Sequence, residues 1–391
     1  MKKNRTIAYI LGVCAILGVS SSLSACSLDY YKNIVQESVI TNEEIESLNI
    51  KGYYYSQLTD DEKQVYASIL RALKEYKTEA AFIPVSLESF YRASRAVSND
   101  YPKFYWSGDY KAKNFAGIVN RIEFDVPENV KETEDKIEEN VNEILEGVDP
   151  NASDYEKVKY FYETIIDNVD YEENPRDQDI RSVFLDKKSV CAGYSRAFLY
   201  LCQKSDIPCI YVEGIVNDKD LHAWNEVELD GEYYGVDVTW GDPVFEEDTT
   251  DWSSNEPISY TYLNVNDTDM FKTHKIDCVI EAISKTQQQF TYPSCRSNKY
   301  NYYVQEGAYF DTYNRVEVGN YIGNKFFNSG VKNLEIKFSD KSAFDEAYGD
   351  FFSDNKPYIY SILDRYGSTF ANASVTYITD KDTNVIAISI N

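Results

Sequence analysis

The chain has 391 residues, 65 of them acidic against 39 basic, for a formal net charge of −26. So acidic a polymer is a poor partner for nucleic acid or anionic lipid surfaces; a cationic peptide fits better, and the same charge also serves solubility. Hydrophobic residues at 43% supply a globular core, and 35 tyrosines suit strands and amphipathic surfaces.

The N-terminus carries an address. Lys2, Lys3 and Arg5 precede a largely apolar, uncharged run from Ile7 to Val19, and Leu23-Ser24-Ala25-Cys26 follows. This resembles a bacterial lipoprotein signal, cleaved before Cys26 with lipid attached to its thiol; a plain secretory signal cut near Ala25 and an uncleaved anchor are the alternatives. The apolar run falls short of the ~20 residues a spanning helix needs. Residues 1–25 are therefore expected to be a signal peptide and 26–48 a lipidated tether, which places the protein outside the cytoplasm on the cell membrane.

Residues 49–245 are expected to form one domain. Thr59-Asp60-Asp61-Glu62 is a capping box, and Val65, Tyr66, Ile69, Leu70 and Leu73 make a helical stripe behind it. Arg121 to Val126 alternates as a strand, helical patterns cover 132–147 and 154–168, and Ile207 to Val216 reads as a buried strand. Residues 246–295 look polar and irregular, with a loop at Trp252–Pro257 near the site and His274 a solvated loop residue between lysines. A small α+β module is expected over 296–391: hairpin-like strands, a strand at Asn333–Phe338, helices across 340–366, and strands at 374–379 and 384–390. Tyr53-Tyr54-Tyr55 and Tyr300-Asn301-Tyr302-Tyr303 suit strand filling better than stacking on sugars or peptides.

The chemistry lies between. Ser189-Val190-Cys191-Ala192-Gly193-Tyr194 reads as a turn opening into an amphipathic helix, with the Cys191 thiol at its first turn. Leu221-His222-Ala223-Trp224-Asn225-Glu226-Val227-Glu228-Leu229 alternates as a strand, Asp230-Gly231 makes a two-residue turn, and Glu232 to Trp240 returns as a second strand. With that turn Leu229 faces Glu232, Trp224 faces Asp237 and His222 faces Thr239. His222 and Asp237 then project from one face as diagonal neighbours, roughly 7–8 Å apart and within side-chain reach. Val227, Leu229, Tyr234, Val236, Val238 and Trp240 form the opposite, apolar face. A loop one residue longer would reverse these faces.

A thiol at a helix N-terminus beside an imidazole favours thiolate, below the pKa of about 8.5 of a free cysteine. Asp237 would fix the tautomer of His222, which takes the thiol proton and returns it to a leaving amine. The oxyanion needs donors, of which the Cys191 N–H is one and Tyr171 a candidate for the second. Gly193 leaves room by the nucleophile for substrate or for close helix packing.

Cys191-Ala192-Gly193-Tyr194, Ile207-Pro208-Cys209, His222-Ala223-Trp224-Asn225 and Leu229-Asp230-Gly231 through Tyr233, Val236-Asp237 and Thr239-Trp240 resemble the core of the transglutaminase-like superfamily, over about residues 154–243. The resemblance implies an α+β, papain-like fold, a helix-borne cysteine packed on an antiparallel sheet. It makes Cys191 the nucleophile, His222 the general base and Asp237 the orienting acid, with Gly193, Tyr194 and Trp224 as substrate-binding neighbours. Relatives of this type include protein-crosslinking enzymes, peptidases and bacterial surface proteins.

Two functions follow from different classes. The first is a lipid-anchored enzyme acting through a Cys191 thioester on peptide or glutamine amide bonds of an extracellular protein or cell-wall peptide, with water or an amine as acceptor. The second is a surface binding or assembly module whose papain-like domain no longer catalyses. Neither implies a cofactor, and the absence of Cys-x-x-Cys or paired-histidine spacing argues against a metal. Cys202 and Cys209 read as core residues, and Cys278 with Cys295 as the pair most suited to a disulfide.

Overall fold

The computed structural model describes residues 40–108, 110–242, 258–276, 290–352, 357–365 and 374–390. The expected signal segment, Cys26, the expected Trp252–Pro257 loop and Cys278 lie outside these residues. The described chain forms two compact units, one up to Asp135 together with Phe290 and Thr291, the other made of the remainder. The boundary falls inside the helix Val130–Glu146. Among the described residues no helix is long and apolar enough to cross a membrane.

In the first unit the Thr59 capping box forms: Glu62 N–H donates to Thr59 Oγ1 at 3.4 Å and Thr59 N–H to Glu62 Oε2 at 2.9 Å. The helix it starts, Asp60–Lys74, buries the whole expected stripe of Val65, Tyr66, Ile69, Leu70 and Leu73. A three-stranded antiparallel sheet orders Glu79–Ser86, Ile118–Phe124 and Tyr110–Phe115, with the helix Leu87–Asp100 after its first strand. The tyrosine run at 53–55 is neither strand nor open platform. It is a 3-10 turn whose Tyr54 and Tyr55 N–H groups, with the Tyr66 hydroxyl, all donate to the buried Asp100 carboxylate at 2.8–3.1 Å.

The second unit carries the motifs. Its main sheet has five antiparallel strands in the order His274–Ile276, Cys209–Val216, Asp220–Leu229, Glu232–Val236 and Leu263–Val265. The helix Cys191–Lys204 packs on the two central strands, with Leu199, Ala223 and Tyr211 in one buried cluster. This is the α+β, papain-like arrangement of a helix-borne cysteine on an antiparallel sheet. Asp230 and Gly231 take φ of 53° and 79°, the paired left-handed values of a type I′ turn. That turn sets Leu229 against Glu232, Val227 against Tyr234 and Asn225 against Val236, the register the sequence predicts.

Three expectations are corrected. The second hairpin strand ends at Val236 rather than Trp240, because the chain coils into a 3-10 turn at Thr239–Gly241. The described parts of the supposedly irregular 246–295 region complete the main sheet at both edges, as Leu263–Val265 and His274–Ile276. And where hairpins were expected after 296, a 13-residue helix runs from Arg315 to Phe327. Asn314 caps it, accepting from the Val316 and Glu317 N–H groups, and Val318, Ile322 and Phe326 bury one face at helical spacing. The other expected elements appear as Asn333–Phe338, Lys341–Phe351, Tyr358–Arg365, Val375–Asp380 and Val385–Ile390. Tyr309–Phe310 joins these strands parallel to Asn333–Phe338, and the four-stranded sheet encloses its own core with the three helices.

A Cβ at Gly231 would meet nothing within 4 Å, so replacing this residue tests the turn's conformation without a packing change. Gly231→Ala is expected to lower stability by about 1 kcal/mol in urea unfolding, since an L-residue resists the left-handed region. No change would mean that the strands, not the turn, hold the register.

Candidate active site

The nucleophile helix begins where the extended Val190 (φ −121°, ψ −179°) gives way to Cys191, and no side chain caps it. Its first-turn N–H groups therefore lack both an intrahelical partner and a cap, which leaves them to an incoming anion. Serine and asparagine side chains fix the helix against the histidine strand. Ser195 Oγ–H donates to the Ala223 carbonyl at 2.9 Å, and Asn225 Nδ2–H donates to the Ser195 carbonyl at 3.0 Å and to the Ile210 carbonyl at 3.2 Å. Gly193 serves close packing: a Cβ there would collide with the Ser189 and Ser182 hydroxyls, which bond each other at 2.6 Å.

Cys191 is half-buried, whereas His222 and Asp237 are buried. His222 Nε2 lies 2.7 Å from Asp237 Oδ2. With Nε2 committed to Asp237, Nδ1 is the atom left for the neighbouring Cys191 thiol. The other carboxylate oxygen, Oδ1, accepts the Thr239 N–H at 2.9 Å and the Trp240 N–H at 3.2 Å. These two bonds explain why the strand stops at Val236: Asp237 caps the turn that follows it.

The charges follow from this geometry. Burial alone would push His222 down, but the Asp237 charge and the hydrogen bonds to Asp237 and Cys191 outweigh it and raise the imidazole to about 10. Burial likewise opposes ionisation of Asp237, yet the His222 charge and the hydrogen bonds from His222 and His274 hold it well below the usual carboxylate range. His222 is thus an imidazolium at neutral pH, paired on one side with a carboxylate and facing a thiol on the other.

Sequence reasoning missed a fourth group. His274 is not solvated but buried on the edge strand, with Nε2 2.9 Å from the same Asp237 Oδ2. The signal was thin: it is one of only two histidines in the chain, and Lys272 and Lys275 around it suggest solvent. His222, Gly214, Val216 and His274 share a sheet face, by the pairs Gly214 with His222 and Val216 with His274. Gly214 lacks the Cβ that would strike the Trp224 ring and the Lys275 carbonyl, so the strands close over the site.

The residues expected to neighbour the substrate stand inside the fold. Gly193, Tyr194 and Trp224 are all buried. The Tyr194 hydroxyl is used internally, at 2.7 Å from the Val169 carbonyl and 2.8 Å from Asp242 Oδ2. Trp224 packs near-parallel to His222 with ring centroids 6.4 Å apart, so it supports the imidazole from inside. Tyr171, on a short strand paired with Lys188–Ser189, is half-buried. Burial and the nearby Cys191 and Asp237 charges hold its phenol protonated, pushed up to about 12.

Among the described residues, His222, Asp237 and His274 form the group whose ligand atoms lie within 4.8 Å of one another. A zinc ion needs N and O about 2.0–2.2 Å from one centre and lone pairs directed at it. Here both Nε2 atoms stand at hydrogen-bond distance from one oxygen, 2.7 and 2.9 Å, and so act as donors to it. Cys202, Cys209 and Cys295 are free thiols, and the first and last are buried; the Cys278–Cys295 pairing lies outside the described residues.

The charged His222 has a stability signature. Its folded value of about 10 exceeds the unfolded value of about 6.5, so its stabilisation is complete below pH 6.5 and is lost as pH rises through 10. Asp237 acts at the other end, its contribution present above about pH 4 and lost as pH falls. Between pH 6 and pH 10 the wild type is expected to lose more unfolding free energy than His222→Gln, by at least about 1 kcal/mol in urea titrations. Parallel losses would show that His222 is uncharged in the folded protein.

Residues 140–238 match the model of the transglutaminase-like superfamily. Kyphoscoliosis peptidase of Mus musculus is 25% identical over 132 residues, 29% of this chain and 20% of that protein, so the chain matches only a fifth of that relative's length. A crystal structure of a TGase overlays on 38% of this chain and 46% of its own, at 16% identity and a TM-score of 0.26. One of menin overlays on 79% of this chain and 66% of its own, at 16% identity and the same TM-score. The family match, which spans the nucleophile helix and the Asp-Gly hairpin, makes the core at 140–238 a member of the transglutaminase-like superfamily.

Proposed function

We propose that this protein is a lipid-anchored extracytoplasmic enzyme that transfers acyl groups through a thioester at Cys191. The observation that carries the reading is the His222 imidazolium lying between the thiol and the buried Asp237 carboxylate. That arrangement supports a thiolate nucleophile at the uncapped start of a helix.

The thiolate attacks the carbonyl carbon of a peptide or glutamine amide. The new C–S bond moves the carbonyl electron pair onto oxygen, where the Cys191 N–H is the first donor and the protonated Tyr171 hydroxyl a candidate for the second. Collapse of the tetrahedral species breaks the C–N bond, and the leaving amine takes the His222 proton. Water or an amine then attacks the thioester, giving its proton back to His222 and releasing the thiolate. The name of the mouse relative supports water as one acceptor. The Lys2–Cys26 segment supports export and anchoring at Cys26, within reach of surface proteins and cell-wall peptides.

Alkylation of Cys191 by iodoacetamide across pH, in wild type, His222→Ala and Asp237→Asn, tests this. Wild type is expected to react fast well below pH 8. His222→Ala should react about two orders of magnitude more slowly at pH 6. Identical profiles in all three would remove the nucleophile from the reading and favour a non-catalytic binding module.

A further inference from the structure

Two imidazoles converge on one carboxylate oxygen, and they respond in opposite directions. His222 is raised to about 10, whereas His274 is lowered. Burial drives the fall at His274; Asp237 opposes it through a hydrogen bond and its charge, and the His222 charge reinforces it. The Met270 carbonyl also reaches the ring and favours charge without reversing the result. The ring centroids stand 5.5 Å apart, so two imidazolium charges there would repel with little water between them.

The ionised Asp237 carboxylate is a stronger acceptor than the Met270 carbonyl, and this selects one tautomer of a neutral His274. Asp237 can only accept, so the proton must sit on Nε2, directed at Oδ2 across 2.9 Å. Nδ1 is then an acceptor, and the Thr273 hydroxyl lies 2.9 Å from it. Thr273 donates to that nitrogen and in turn accepts from the Tyr262 hydroxyl at 2.7 Å. The direction is therefore set from end to end: Tyr262 to Thr273, Thr273 to His274, His274 to Asp237, with His222 donating to the same oxygen from the other side. The aromatic rings of Trp224, Trp240 and Tyr262 surround His274 at centroid distances of 4.8–5.1 Å and hold it in place.

We propose that His274 is a positioning residue of the site: a neutral, tautomer-locked imidazole whose Nε2–H pins the Asp237 carboxylate so that it aims at His222. This rests on the acyl-transfer reading above and adds a fourth member to its machinery. The role is indirect, through Asp237. Removing that donor leaves a fully buried carboxylate one hydrogen bond short, so Asp237 takes a proton at higher pH and releases His222.

The chain's two histidines make the test direct. In protein labelled with 15N-histidine, one ring at pH 7 should be doubly protonated and the other neutral with its proton on Nε2; His274→Gln should abolish the second signal. Iodoacetamide alkylation of Cys191 gives the functional arm. His274→Leu should move the acidic limb to higher pH and slow reaction at pH 5 by about tenfold, the worth of one hydrogen bond to a charged group. His274→Gln, which keeps an N–H donor at the corresponding place, should restore most of the rate.

A charged His274, or a proton on Nδ1, at pH 7 would overturn the proposal. So would stoichiometric metal in the purified protein that is lost in His274→Leu, or an acidic limb unmoved in a folded His274→Leu whose only change is a lower melting temperature. An ordinary, slow thiol in the wild type would instead sink the acyl-transfer reading, and the ring signals would still decide the state of His274.

Discussion

Everything at this site depends on one buried carboxylate. Asp237 has no exposure, and burying an ion of that kind is costly unless hydrogen bonds replace its water. Four donors do so: the Thr239 and Trp240 N–H groups on Oδ1, His222 and His274 on Oδ2. The backbone pair fixes the carboxylate to the turn it caps, and the imidazole pair fixes the direction of its second oxygen. Because one anion stabilises one neighbouring cation well and two poorly, the histidines separate into a charged member and a neutral one. The asymmetry of the site follows from this, since only the charged member faces the thiol.

The sheet exists in a form that makes this convergence possible. Gly214 stands between the strands of His222 and His274, and Trp224 fills the space that a side chain there would take. On the other face, Ser195 and Asn225 tie the nucleophile helix to the strands by backbone carbonyls rather than by hydrophobic contact alone. Directional bonds of this sort set a helix position along a strand, which apolar packing does less sharply. The helix that carries the thiol is thereby held in register with the His222 strand, through Ser195 one turn on from Cys191 and Ala223 next to His222.

What was legible in the sequence was local or periodic. The Asp230-Gly231 turn specifies strand register through backbone conformation alone, and the pairs it predicts at Leu229–Glu232 and Val227–Tyr234 are those observed. The end of the strand was not legible, because a period-two pattern continues to Trp240 while the carboxylate of Asp237 diverts the backbone at 237. His274 was invisible for a different reason. Its partner lies 37 residues away, and its three-residue strand has too few positions to show alternation, although Lys275 does point out where His274 points in. The tyrosine run at 53–55 misleads in a related way: its role is set by Asp100, far along the chain, not by strand propensity.

The C-terminal α+β elements bear on the site more closely than a separable module would. Lys337, on the strand Asn333–Phe338, is 2% exposed and pairs with Asp269 at 3.1 Å while donating to the Thr383 carbonyl at 2.8 Å. Asp269 sits in the short helix Asp267–Met270, which Phe271 and Lys272 connect to Thr273 and His274. On the same strand the half-buried Glu335 accepts the Tyr303 hydroxyl at 2.8 Å and the N–H of Tyr260 at 2.9 Å, and Tyr260 stands two residues before the Tyr262 that ends the hydrogen-bonded chain on His274. Removing one partner of a buried ion pair strands the other, a loss of about 3–5 kcal/mol. Deletion of residues 296–391 would therefore disturb the segment that holds His274. The C-terminal elements thus hold the segment that carries His274, and a role for either has to be argued with the other in place.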